Sequence, residues 1–345
     1  MGAITVEELK KLPYLDVSAL DGRTVNLMPL WDGTNWHMWF DTEVGLIAGK
    51  IVDTAEVDYV AKTAARPTDL FIPFVHIAWQ QCSWREVCPL IVAINQDFHN
   101  MGTSVAKLRH FQQFRDSLGD RCAHKFALTE LEYLVTLCRT TFDLLQEMIA
   151  WIWKSTVRLN DPAAEAFRLA HPLPKTFSKM VLLEKERVRS AAEIEAQFGL
   201  PLPLSEQYAQ AAPFFSDLRR VRDSVVHGGS GFGMIFDTER GFCVDPKIRP
   251  FNTFQNWRPE HYYNENIASV LPWIADTILK TINACSSLMH AFGSVVQLPP
   301  PIAPGYAVFV RGYHNEAFTE LLSIHSGGSA WWDKSATDAG LVAGK

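Results

Sequence analysis

The feature that most constrains the fold is an uninterrupted amphipathic stretch in the middle of the chain. Neither glycine nor proline occurs between Thr129 and Pro162. Apolar residues recur there at three- and four-residue steps, which places them on one stripe of a helix; they are Leu131, Leu134, Val135, Cys138, Phe142, Leu145, Ile149 and Ile152. Thr129 and Glu132 have the form of an N-terminal capping box. The sequence therefore predicts a helix of about 28 residues that begins near Thr129.

Further periodic segments predict helices that pack against the first one. Two of them cover roughly residues 177–197 and 264–291. A third begins near Pro213, where proline suits a first turn, and ends at Gly228, where glycine suits the position after a helix C-cap. Residues 232–245 predict a short β-hairpin. We therefore expect a mainly α-helical fold, an antiparallel bundle with one short hairpin and a mixed N-terminal region.

The chain is long enough for one extended domain or two smaller ones. Changes in pattern along its 345 residues predict four regions. An irregular or β-like region covers residues 1–54, and a helical extension covers 55–120. The main helical domain covers 121–295. A C-terminal extension covers 296–345, and its small-residue end is expected to fray.

Composition restricts the classes of function. The 38 acidic side chains exceed the 32 basic ones, so any contact with nucleic acid has to come from a local basic patch. The six cysteines are scattered without a CxxC pair, and His99, His110 and His124 lack metal-like spacing. We expect neither a metal nor another cofactor. The start of the chain does not resemble a secretory signal, and no apolar window is long enough for a membrane span. These features predict a soluble, cytoplasmic protein that does not contact membranes.

The most informative motif is FFSDLRRVRDSVVHGGSG, at residues 214–231. On a helix, its apolar residues form a stripe, and Arg219, Arg222, Asp223 and His227 lie on the adjoining flank. Arginine clamps phosphate oxygens through parallel N–H donors, and histidine accepts and returns protons near neutral pH. Together they suit cleavage of RNA without a metal, in which a base activates the ribose 2′-OH and a cation stabilises the phosphoryl oxygens.

Two structural interpretations of the same residues remain open. Arg219 and Asp223 are four residues apart and suit a weak surface ion pair. A histidine in the last turn interacts favourably with the negative end of the helix dipole. Neither interpretation requires a ligand.

The segment from Arg222 to His227 resembles the R-x4-H motif of the HEPN superfamily, the higher-eukaryote and prokaryote nucleotide-binding domains. A polar residue directly after the arginine, here Asp223, fits the usual form of that motif. The resemblance covers roughly residues 125–292. It implies that Arg222 and His227 are a catalytic pair that Asp223 orients or polarises, and that two motifs meet in the cleft of a homodimer.

The family includes metal-independent endoribonucleases of toxin–antitoxin, phage-defence and RNA-processing systems, as well as non-catalytic modules. The sequence thus predicts a HEPN-type endoribonuclease that binds RNA and is restrained by a protein antitoxin or another regulator. The alternative is a non-catalytic module that binds a protein partner or a nucleotide. We expect Arg219, Lys175 and Lys179 to supply further phosphate contacts, although the mixed charges around the two lysines also suit a solvated helix face.

Overall fold

The computed structural model describes residues 4–115, 122–228 and 232–332. The chain divides into two compact units, each assembled from separate segments. The first unit comprises Met1–His99, Thr141–Pro213 and Ile282–Glu316. The second comprises Asn100–Thr140, Phe214–Thr281 and Ala317–Lys345.

The described residues form ten α-helices and eight β-strands, numbered here in chain order. The helices are α1 (Val6–Leu9), α2 (Pro73–Gln81), α3 (Cys88–Gln113), α4 (Ala123–Ser155), α5 (Pro162–Ala170), α6 (Phe177–Val181), α7 (Ala191–Phe198), α8 (Leu202–Gly228), α9 (Leu271–Val295) and α10 (Asn315–His325). The strands are β1 (Leu30–Trp31), β2 (Trp36–Thr42), β3 (Gly45–Ile51), β4 (Val57–Ala61), β5 (Phe236–Thr238), β6 (Gly241–Val244), β7 (Ala268–Ser269) and β8 (Ala307–Arg311).

The prediction of a mainly α-helical bundle is wrong, because the fold is α/β. The first unit contains a five-stranded mixed sheet in the order β3-β2-β1-β4-β8, and the second contains a three-stranded sheet in the order β5-β6-β7. Four strands of the larger sheet come from the N-terminal 61 residues, and the fifth comes from the C-terminal extension. Three of the strands lie within residues 1–54, which the sequence predicted to be irregular or β-like, whereas the pairing of β4 with the distant β8 leaves no local signal in the sequence.

Strands β4 and β8 form the most buried part of the larger sheet. They pair antiparallel with Tyr59 opposite Phe309, and the two rings stack with their centroids 5.6 Å apart. Trp36 of β2 packs edge-on against Tyr59 at 4.9 Å. Aromatic and β-branched side chains pack well on a pleated surface. This aromatic cluster therefore anchors the C-terminal strand to the N-terminal part of the first unit.

The smaller sheet includes the predicted hairpin. Strands β5 and β6 pair antiparallel with Phe236 opposite Cys243, and β7 adds a third strand. Cys243 is fully buried in a cluster with Ala330 and Trp331. The C-terminal residues that precede position 333 thus pack against the hairpin of the second unit, whereas the rest of the predicted frayed end, at 333–345, lies outside the described residues.

The helices differ from their predicted boundaries for local reasons. Helix α4 begins at Ala123, so Thr129 lies inside it and its hydroxyl donates to the carbonyl oxygens of Lys125 and Phe126. The predicted capping box at Thr129 is therefore wrong. The predicted single helix at 177–197 is instead α6 followed by α7, because Ser190 and Glu193 form a capping box that starts a new helix. Among the described residues, no helix is both long enough and apolar enough to span a membrane.

Candidate functional site

The predicted catalytic motif lies at the end of α8, in the second unit. This helix begins at Leu202 rather than near Pro213, and Pro213 is within it. Arg222 Nη1 donates to Asp223 Oδ1 at 2.9 Å, and Arg219 Nε lies 3.4 Å from Asp223 Oδ2. The structure thus brings three of the predicted site residues together, with one carboxylate between two guanidinium groups.

These three side chains are accessible to solvent. Each is about one-third exposed: 31% for Arg219 and 34% for Arg222 and Asp223. Ion pairs in such positions contribute little to stability because water and salt screen them. A phosphate group offers arginine the same bidentate acceptor geometry as a carboxylate. Arg222 therefore has a partner that a polyanionic ligand is able to replace.

His227 lies in the last turn of α8. Its side chain lies outside the described residues, as do residues 229–231 of the glycine-rich segment that follows. Arg222 and His227 both belong to helix α8.

The two predicted supplementary cations belong to the first unit. Lys175 Nζ lies 3.0 Å from Glu147 Oε1, and its side chain is highly exposed. Lys179 is exposed on α6. Both side chains are solvated, as the mixed charges of this segment also suggested, but Lys175 precedes α6 and only Lys179 lies on the helix.

A cavity of about 220 Å³ lies beside the motif helix in the second unit. Two arginines line it, Arg220 of α8 and Arg249 of the loop that follows β6. Asp217 partly neutralises this lining, because its Oδ1 lies 3.3 Å from Arg220 Nη1. The remaining lining residues are Val221, Ser224, Pro250 and Thr253. The cavity therefore lies against a different face of α8 from the one that carries Arg219, Arg222 and Asp223.

The first unit contains a second candidate site, which the sequence did not reveal. Glu56, His99 and His314 place one potential ligand atom each within 4.8 Å of one another. His99 Nδ1 lies 3.3 Å from Glu56 Oε1, and the two imidazole centroids are 4.0 Å apart. Burial, together with the adjacent His99, lowers the pKa of His314 to about 3. His314 is therefore neutral at physiological pH, the form in which imidazole ligates metals.

Hydrogen bonds fix the turn that carries His314. Arg311, at the end of β8, donates from Nε and Nη2 to both carboxylate oxygens of Asp69, at 2.9 and 2.7 Å. The side-chain amide of Asn315 donates to the carbonyl oxygens of Thr68 and Val310. A Cβ at Gly312 would overlap the His314 ring, so the absence of a side chain there makes room for the imidazole. Residues before and after His314 in the sequence are thus held in place, and this fixes the position of the imidazole.

A cavity of about 360 Å³ adjoins this cluster, and Glu56 and His99 line it. Asp58 and Asn95 also line it, with Asn95 Nδ2 donating to Asp58 Oδ2 at 2.6 Å. Burial raises the pKa of the Asp58 carboxyl to about 6, against the opposing effect of the nearby His99. The cavity wall therefore carries a carboxyl group, an amide and an imidazole within one unit, on strand β4 and helix α3.

His99 lacks a metal-like partner spacing along the chain, because the other members of this cluster are distant in sequence. Its three members come from the loop before β4, from α3 and from the loop between β8 and α10. Only the pairing of β8 with β4 brings His314 towards the other two. No local motif connects them.

Comparison of the chain with protein-family models, with curated proteins and with solved structures finds no match. The class that the structure itself defines is an α/β protein with an exposed arginine–aspartate motif in one unit and a His-His-Glu cluster in the other.

Proposed function

We propose that this protein is a metal-independent endoribonuclease of the HEPN type. One observation carries the proposal: Arg222 and Asp223 are in contact at 2.9 Å on the exposed surface of the helix that also contains His227. Burial of Arg222 would have made access to a phosphodiester impossible. Its partial exposure and its exchangeable partner agree with a role in binding the scissile phosphate.

The reaction follows from the chemistry of the two side chains. His227 removes the proton from a ribose 2′-OH, and the oxygen attacks the adjacent phosphorus. Arg222 stabilises the negative charge on the phosphoryl oxygens. The bond from phosphorus to the 5′-oxygen breaks, and an acid returns a proton to that oxygen. The products are a 2′,3′-cyclic phosphate and a free 5′-hydroxyl.

The same resemblance supplies the remaining parts of the proposal. Two copies of the chain form a homodimer, which brings two motifs to one RNA strand. The enzyme acts in phage defence or in a toxin–antitoxin pair, and a protein antitoxin or regulator restrains it. The motif residues alone support this assignment, because the α/β fold differs from the predicted bundle and no compared protein matches.

The test is cleavage of end-labelled RNA by the purified full-length protein. We expect cleavage that persists in excess chelator and that leaves 2′,3′-cyclic phosphate ends. His227→Ala and Arg222→Ala should each lower the rate about 100-fold or more, the usual contribution of acid–base or electrostatic catalysis. His110→Ala is the matched control, because His110 also lies in the last turn of a long helix. Its rate should equal that of the wild type.

The proposal is wrong if the protein cuts no RNA or if His227→Ala cuts as fast as the wild type. A specific observation would then favour the second candidate, a non-catalytic module that binds a protein or nucleotide. Asp223 contacts both Arg219 and Arg222, so these cations have partners without any ligand. For such a module, Arg222→Ala would weaken partner binding without any change in RNA turnover.

A further inference from the structure

We infer that Glu56, His99 and His314 form a binding site for one divalent first-row transition-metal ion, with Zn²⁺ as the reference ion. The three ligand atoms lie within 4.8 Å of one another, and they belong to one compact unit. The proposal does not depend on the RNA-cleaving motif.

The donor set selects the kind of ion. Two imidazoles and one carboxylate are borderline nitrogen and hard oxygen ligands, which suit Zn²⁺, Fe²⁺ and related ions rather than Mg²⁺ or Ca²⁺. Around Zn²⁺, nitrogen and oxygen ligands lie at about 2.0–2.2 Å, so neighbouring ligand atoms are about 3.4 Å apart. The 3.3 Å distance from His99 Nδ1 to Glu56 Oε1 already has this value. The third ligand atom, on His314, lies within 4.8 Å of these two.

The rigidity of the surroundings also favours a preformed metal site. The side chain of His99 is 13% exposed, and His314 is almost fully buried. The two imidazole centroids are 4.0 Å apart. The bonds of Arg311 to Asp69 and of Asn315 to two carbonyl oxygens hold the His314 turn in place. His314, which is fixed in this way, loses little conformational entropy when a metal binds.

The cavity beside the cluster indicates that the ion has room for a further ligand. Zinc sites with three protein ligands keep a fourth position for water or a small molecule. Glu56 and His99 are both ligands and cavity-lining residues, and the cavity of about 360 Å³ also exposes Asp58 and Asn95.

The alternative is a hydrogen-bonded structural cluster. In that case, Glu56 accepts a hydrogen bond from His99, and the His314 ring packs against His99 without any ion. This alternative predicts that the substitutions change stability only. Metal titration separates the two cases.

The experiment uses the full-length protein, stripped with a chelator and titrated with Zn²⁺ by calorimetry and by competition with a chromophoric chelator. We expect one Zn²⁺ per chain. Glu56→Gln and His99→Gln should each weaken binding about 100-fold or more, since loss of second-shell contacts alone costs 10- to 100-fold. Fe²⁺ should compete with Zn²⁺, whereas Mg²⁺ should not. The visible absorption of the Co²⁺-loaded protein should disappear in both variants.

His110→Gln is the control, because His110 lies on the same helix as His99 and is exposed. It should bind Zn²⁺ as tightly as the wild type. Gly312→Ala provides a second test, because the added methyl group displaces the His314 ring while all three ligands are retained. It should weaken binding, and circular dichroism should show a folded chain.

The inference is overturned if the folded wild type binds no Zn²⁺, or if Glu56→Gln and His99→Gln bind it as tightly as the wild type. RNA cleavage is not part of this measurement. Failure of the metal site and failure of the ribonuclease proposal are therefore separate results.

Discussion

Two arginine–aspartate pairs have the same chemistry in very different surroundings. The side chains of Arg311 and Asp69, in the first unit, are 3% and 1% exposed, and those of Arg222 and Asp223, in the second, are both 34% exposed. Asp69 also accepts hydrogen bonds from Tyr59 Oη and the backbone N–H of Arg66. Asp223 contacts only arginine side chains among the interactions observed.

The difference shows how the two pairs are used. A buried pair with every acceptor occupied fixes its neighbourhood, because removing either partner leaves an uncompensated charge in the interior. Arg311 therefore determines where the chain continues into His314. An exposed pair is weak and exchangeable, so Arg222 remains available to an anionic ligand. In our proposals, the first pair positions the candidate metal site, and the second belongs to the candidate RNA-cleaving site.

The largest expected effect is on the buried pair. Asp69→Asn should lower the free energy of unfolding by about 3–5 kcal/mol, since Arg311 would lose its buried counter-charge. Urea denaturation monitored by circular dichroism measures the change.

Asp53→Asn is the matched control for that substitution. Asp53 Oδ1 lies 2.9 Å from Nη1 of the same Arg311, but the Asp53 side chain is 46% exposed. Its loss should cost about 1 kcal/mol or less, as expected for an exposed pair. Equal effects of the two substitutions would show that burial does not determine the strength of these pairs.

A third ion pair, of intermediate burial, should contribute a stability that depends on pH. Arg168, whose side chain is 1% exposed, donates from Nε and Nη2 to the two oxygens of Glu165, each at 2.7 Å. These hydrogen bonds hold the pKa of Glu165 at about 2, below its usual value of 4.5. The folded state therefore gains stability from the carboxylate at pH values above 4.5 and loses it as the pH falls towards 2.

Glu165→Gln should accordingly be less stable than the wild type at neutral pH, and the difference should shrink as the pH falls from 4.5 to 2. Urea unfolding at several pH values measures it. Glu195→Gln, on the exposed surface of α7, is the control and should show no such trend. A difference that stays constant with pH would contradict the assigned role of Arg168.

The same contrast explains what the sequence was able to predict. The contact between Arg222 and Asp223 joins adjacent residues, so a local pattern was sufficient to place them together. Helix α4 was also predictable, because its periodic stripe is local; its six extra N-terminal residues continue that stripe through the buried Ala123 and Ala127. Signals of this kind need no knowledge of the tertiary fold.

The sheet and the His-His-Glu cluster were not predictable in this way. Strand β8 reads as AVFVR, a short apolar run that suits a strand or a buried helix. Its pairing with β4 is decided by tertiary packing against Tyr59 and Trp36. His314 and Glu56 are close only because of that pairing. The fold class was predicted wrongly for the same reason: the periodic helices dominated the prediction, and the β-like residues 1–54 did not show that β4 and β8 complete a five-stranded sheet.

The smallest expected effect is on the exposed pair. Asp223→Asn should change the free energy of unfolding by less than about 1 kcal/mol, because Arg219, Arg222 and Asp223 are all partly solvated. Denaturation in low and high salt measures this change, which should become smaller as salt screens the charges.

RNA cleavage should fall in the same variant if Asp223 orients Arg222, as the resemblance implies. If Asp223→Asn loses cleavage but keeps its stability, Asp223 acts in the site and not in the fold. If its stability falls as much as that of Asp69→Asn, the two pairs are energetically equivalent. Because the exposed carboxylate holds two guanidinium groups in place of a ligand, its neutralisation should also strengthen the binding of RNA to His227→Ala, where turnover does not interfere with the measurement.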